Sequence, residues 1–138
     1  MFPKKEPITV YKTKSHIEFL VYDNEICFFK YEDGPFCPTV RFAQRFPSIC
    51  PRIEVDAGAI PYVLKGAPIM SAGVFPKGKI IDEREVGQPV VVFAEGKENP
   101  IAVGTMAMST KDIRGGKRGA GINNLCFMGD GLWSTFKV

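Results

Sequence analysis

Histidine and tryptophan are almost missing from this 138-residue chain, which has one of each, His16 and Trp133. A single imidazole leaves little material for a Cys–His nucleophile or a histidine-rich metal site. His16 is expected on an outward strand position, as an ordinary exposed residue. Cys27, Cys37, Cys50 and Cys126 include no pair at C-x₂₋₄-C spacing. A zinc site built by this chain alone is therefore not expected, and neither is a cofactor or, in a cytosolic protein, a disulfide. Cys27 lies in the apolar run Ile26-Cys27-Phe28-Phe29 and is expected to pack as a small hydrophobe. No apolar run approaches a membrane span, and Met-Phe-Pro-Lys-Lys at the start lacks the apolar centre of a signal peptide. These features imply a cytoplasmic protein with no membrane partner. Net charge is also small, +3, so any nucleic-acid surface must be a local patch.

Other absences bear on catalysis. The acidic cluster Asp82-Glu83-Arg84-Glu85 is contiguous and reads as a solvated loop rather than a carboxylate dyad. Gly115 to Gly121 reads GGKRGAG. It lacks G-x-x-x-x-G-K-[ST], and its glycines have the wrong spacing for a dinucleotide fingerprint. No enzymatic activity is expected.

Eleven prolines and fourteen glycines point instead to many turns and short strands. Residues 15–31 read as a β-hairpin turning at Asp23-Asn24. Thr39 to Phe46 reads as a short helix ended by Pro47. The pattern changes near residue 54, which divides the chain into 1–54 and 55–138. A helix is expected over 56–65, capped by Asp56, with Ile60, Val63 and Leu64 on one face and Gly66 as the glycine past its end. Pro61 leaves two options open. It costs a backbone bond if the helix starts at Asp56, and little if regular helix begins nearer Gly58 or Ala59. Short strands are expected at Pro68–Met70 and Gly73–Phe75, then longer ones in Val86–Phe93, Ile101–Met108 and Asn123–Met128. Gly104 suggests a bulge or close backbone approach. Ser109 to Asp112 reads as a capping-box helix start. Met106 and Met108 are expected in or beside the core, and Trp133 as a plug of the barrel.

One local charge excess remains. Lys111, Arg114, Lys117 and Arg118 face only Asp112 within residues 111–118. The glycines of this loop can expose backbone N–H groups, and Lys117 and Arg118 add charge, so the loop reads either as a phosphate clamp or as a solubilising turn.

Several motifs in one order extend this reading. They include Met-Phe-Pro-Lys-Lys-Glu-Pro at the start, His16-Ile17-Glu18-Phe19-Leu20, Gly34-Pro35-Phe36, Val55-Asp56, Val63-Leu64, Gly66-Ala67, Ala94-Glu95-Gly96-Lys97 and Asp130-Gly131-Leu132-Trp133. Together they resemble the MCT-1 (malignant T-cell-amplified sequence) family, to which yeast translation machinery-associated protein 20 belongs. The stretches at 55–73 and 129–133 resemble the opening and closing signatures of a PUA domain, a small RNA-binding module. The resemblance implies an α+β protein. Its C-terminal PUA β pseudo-barrel, 55–138, carries short helices and follows a small α/β domain, 1–54, that is shorter at its N-terminus than in the family. It implies a non-enzymatic, RNA-binding translation factor acting on the small ribosomal subunit in tRNA release, recycling and reinitiation. The implied partners are the tRNA 3′ end, ribosomal RNA and a density-regulated-protein-like partner. Carried onto this chain, the RNA cleft comprises Lys65, Gly66, Ala67, Gly73, Lys117, Arg118 and Gly119. Two other classes stay open: an accessory module of an RNA-modification system, and a protein-interaction adaptor with a vestigial cleft.

Overall fold

The run Val90-Val91-Val92-Phe93 is buried completely on both sides, every residue at 0% exposure. Successive strand residues point to opposite faces, so an unbroken apolar run needs two separate apolar partners. Val90 and Val92 face one core, with Val55, Val63, Ile69, Met106 and Ile122. Val91 and Phe93 face another, with Val103, Cys126 and, from the first half of the chain, Phe29, Cys37, Val40 and Ala43. Each such side chain contributes roughly 1.5–3 kcal/mol of burial, so this strand anchors both halves.

The computed structural model describes residues 8–74 and 83–134. The first half is a four-stranded antiparallel sheet of β1 (Thr9–Lys12), β2 (Ile17–Tyr22), β3 (Glu25–Tyr31) and β4 (Cys37–Pro38), in that order. Asp23 and Asn24 both take positive φ, 52° and 61°, as a tight two-residue hairpin requires. The expected hairpin is therefore present, but its flanks were incomplete. β1 adds an edge strand, and His16 sits in the turn before β2 at φ 62° rather than on a strand. Cys27 is buried as expected, at the bulge where Val21 pairs with Ile26. Helix α1 (Val40–Arg45) is capped by Thr39, whose hydroxyl accepts from the Phe42 N–H.

The second sheet has the order β5-β7-β8-β9-β6, from β5 (Arg52–Val55), β6 (Ile69–Met70), β7 (Pro89–Ala94), β8 (Pro100–Met106) and β9 (Ala120–Phe127). β5 pairs in parallel with β7, and the other pairs are antiparallel. This is the expected α+β arrangement, with a mixed-strand pseudo-barrel in second place. Ser71–Gly73 forms a 3₁₀ turn where a strand at Gly73–Phe75 was expected. Val74 makes only an isolated bridge to Val55, and Phe75 lies outside the described residues. Ser109 caps α3 (Thr110–Arg114), accepting from the Asp112 N–H at 3.1 Å. Met106 and Met108 are buried.

All four cysteines are free thiols. Burial pushes the Cys37 thiol up to about 12 and also raises that of Cys126, so both stay protonated at neutral pH. Among the described residues, no helix is long and apolar enough to cross a membrane.

Candidate nucleic-acid interface

Between β5 and the bridge at Val74 the chain makes an 18-residue excursion, 56–73. Its base is closed by the Asp56 N–H donating to the Gly73 carbonyl at 2.7 Å. Ala57–Ala59 form a 3₁₀ turn, and α2 (Ile60–Val63) follows with Pro61 in its first turn. The second of the two options for Pro61 is therefore realised, and its missing N–H costs little.

The exit from α2 is a Schellman motif. The Gly66 N–H reaches the Val63 carbonyl and the Ala67 N–H reaches the Tyr62 carbonyl, both at 3.1 Å. Gly66 takes φ +86°, and a Cβ there would lie 2.9 Å from the Phe127 ring. Gly66→Val is therefore expected to cost at least ~1–2 kcal/mol through the left-handed conformation alone, with the ring clash added. A thermal melt checks this, and a variant melting with the parent would remove the argument.

Two residues clip the excursion to β9 and to the loop before it. Asn124 Nδ2 donates to the carbonyls of Val63 at 3.0 Å and Ala67 at 3.1 Å. The other clip is Ser71, buried at 2% exposure. Its hydroxyl donates to the Lys117 carbonyl at 2.6 Å, and its N–H donates to the Gly119 carbonyl at 2.9 Å. Between the clips, Ile69 pairs with Ile122 and Met70 with Ala120.

This geometry lays the seven expected residues along one seam. Lys65, Gly66 and Ala67 lie at one end. Gly73, Lys117, Arg118 and Gly119 lie at the other, where Gly73 also packs under Ala59. Ala67 and Ser71 are four extended residues apart, on the order of 13 Å. Lys65, Lys117 and Arg118 are exposed, and Lys117 forms an ion pair with Asp112 at 3.7 Å. Of the wider basic patch, Arg114 turns to Glu83 at 3.9 Å.

Sequence reasoning missed four contributors. Tyr62, in the turn of helix before Gly66, and Met70, beside Ser71, are exposed at 65% and 51%. The helical spacing that turns Ile60, Val63 and Leu64 inward leaves Tyr62 outside, so its signal was present. Asn124 and Ser71 gave none, because their partners lie far away in sequence. Trp133 also differs from expectation. It lies at the junction of the two halves, under the Arg41 guanidinium, whose Cζ is 3.9 Å from the ring centroid, rather than plugging the barrel.

A PUA domain profile matches residues 51–126, and a Pre-PUA-like domain profile matches residues 1–47. The malignant T-cell-amplified sequence 1 homolog of Dictyostelium discoideum is 44% identical over 136 residues, 98% of this chain and 75% of that protein. Translation machinery-associated protein 20 of Schizosaccharomyces pombe is 38% identical, with the same coverage. A PUA domain protein from Thermoplasma acidophilum shares the fold with a TM-score of 0.73, at 24% identity over 94% of this chain and 81% of that one. The chain belongs to the malignant T-cell-amplified sequence family, with a Pre-PUA-like domain followed by a PUA domain.

Proposed function

We propose that this chain is an RNA-binding translation factor that acts on the small ribosomal subunit, holding a tRNA 3′ end along the seam between residues 65–73 and the loop before β9. The observation that carries this reading is the seam itself. The Gly66 turn is clipped to β9 by Asn124, the Gly119 loop is clipped to the same excursion by Ser71, and three exposed cations lie beside them. Backbone N–H groups and cations can hold phosphates, while Tyr62 offers a ring face to an unpaired base. The fission-yeast relative named for association with the translation machinery supports the setting. In that setting the chain positions RNA for tRNA release, recycling and reinitiation rather than performing chemistry, and works with ribosomal RNA and a density-regulated-protein-like partner.

Fluorescence anisotropy with a tRNA acceptor-end oligonucleotide, over a salt series, tests the reading. The parent is expected to bind more weakly as salt rises, because phosphate contacts release counterions. Tyr62→Ala is expected to lose about 1–3 kcal/mol of affinity, the usual range for one stacked base, with an unchanged salt slope. Binding that ignores salt would leave the protein-interaction adaptor as the better reading. Co-sedimentation with small subunits separates a translation factor from a module of an RNA-modification system.

A further inference from the structure

We infer that Arg41, on α1 of the first half, is a positioning residue for the Gly66 turn, acting through Trp133, Asp130 and Phe127. The inference rests on the RNA reading above and adds a control point remote from the seam. Arg41 Cζ lies 3.9 Å from the centroid of the Trp133 ring, and its Nε–H donates to the Trp133 carbonyl at 2.8 Å. Trp133 belongs to α4 (Gly131–Ser134), the last described element. Its backbone N–H donates to Asp130 Oδ1 at 2.8 Å. The other oxygen of the same carboxylate accepts from the Phe127 N–H at 2.9 Å. Asp130 thus ties the end of β9 to the start of α4. The Phe127 ring in turn forms the surface against which Gly66 sits, 2.9 Å from where a Cβ would be.

Two physical features make this chain of neighbours stiff. The junction among Val40, Arg41, Cys126, Asp130, Leu132 and Trp133 leaves a void of only about 10 Å³, so the Trp133 side of α4 packs closely against the first half. Arginine is also suited to its place, because a planar guanidinium covers the indole face while an edge N–H bonds the carbonyl. A lysine ammonium has no flat face and cannot do both. Releasing α4 frees Asp130, loosens Phe127 and removes the support under Gly66. Arg41 touches no phosphate in this scheme, so its removal changes affinity without changing counterion release.

The test uses the full chain with Arg41→Ala, Arg41→Lys and, as a control on the same helix, Arg45→Ala, which breaks only a surface pair with Glu25. The first readout needs no RNA: hydrogen exchange of the Gly66 and Ala67 amides, whose hydrogen bonds close the turn. Arg41→Ala is expected to speed exchange there by about 3- to 30-fold and to weaken binding of a tRNA acceptor-end oligonucleotide by a similar factor, with the parent's salt slope. Arg41→Lys should share the defect, and Arg45→Ala should match the parent in both readouts. Unchanged exchange at Gly66 and Ala67 in Arg41→Ala overturns the inference. So does a flattened salt slope, which would make Arg41 a direct phosphate ligand. If Arg41→Ala does not fold, Asp130→Asn decides: it keeps the side-chain shape, replaces one accepting oxygen by an NH₂ that cannot accept, weakens the other bond by removing the charge, and is expected to give the same faster exchange. If the parent binds no RNA, the functional reading fails, and the exchange data alone still decide the coupling.

Discussion

Replacing Lys117 and Arg118 together by alanine is expected to weaken binding of a tRNA acceptor-end oligonucleotide by about 10- to 100-fold, at roughly 1 kcal/mol or more for each charge-assisted hydrogen bond removed. The salt slope should flatten by about 1.4, since each phosphate neutralised on a single strand contributes roughly 0.7. The change should not disturb the loop's attachment. Ser71 holds this loop by main-chain atoms, the carbonyls of Lys117 and Gly119, which survive truncation of the side chains. Truncating Lys117 also strips Asp112 of its cation, leaving a half-exposed carboxylate at the same loop. That charge repels phosphate and weakens binding further. Anisotropy at several salt concentrations, with melting temperature as a folding check, measures the effect. Parent-like affinity and slope would make the loop a solvated turn and move the search for the RNA site elsewhere on the barrel.

The largest expected stability effect lies beneath the seam, where Gly104 pairs with Asn124. Gly104 sits in β8 where pairing with β9 shifts register, and a Cβ there would overlap the carbonyl oxygen of Asn123 and press on Ile122. Backbone cannot move aside as a flexible side-chain end can. Gly104→Ala is therefore expected to cost about 3 kcal/mol and to lower the melting temperature by on the order of 10 °C. Gly58→Ala is the matched control, because nothing lies within 4 Å of a Cβ at that position. Calorimetry on both variants decides it: a Gly104→Ala melt within about a degree of the parent would mean the two strands part to admit a methyl group at little cost.

Elements with local causes were legible in the sequence, and those with distant causes were not. Asp23-Asn24, Thr39, Ser109 and Gly66 are read from their own neighbours, and each sits at the turn, cap or helix exit that its chemistry favours. The Val90 run reads plainly as a core strand. That it serves two cores does not, because both-sided burial erases the alternation that would tell one face from the other. β5 was missed for another reason. It has four residues, and its partner β7 lies far along the chain in parallel. For the candidate site, glycines and cations stand out locally. The clips at Asn124 and Ser71 span 57 and 46 residues, a separation no local pattern encodes.

The doubly buried β7 strand also has a consequence for how the chain is made. Synthesis delivers the first sheet before the surface it needs. Until β7 and β8 emerge, Phe29, Cys37, Val40 and Ala43 are only partly covered, by Phe19, Ile49 and Cys50, and the remaining wet apolar face is where a nascent chain attracts chaperones or sticks to its neighbours. Cutting the finished protein between its halves recreates the hazard twice over. Val91, Phe93, Val103 and Cys126 would become surface on one fragment, and their former partners would become surface on the other. The two halves are therefore better regarded as one folding unit than as separable pieces.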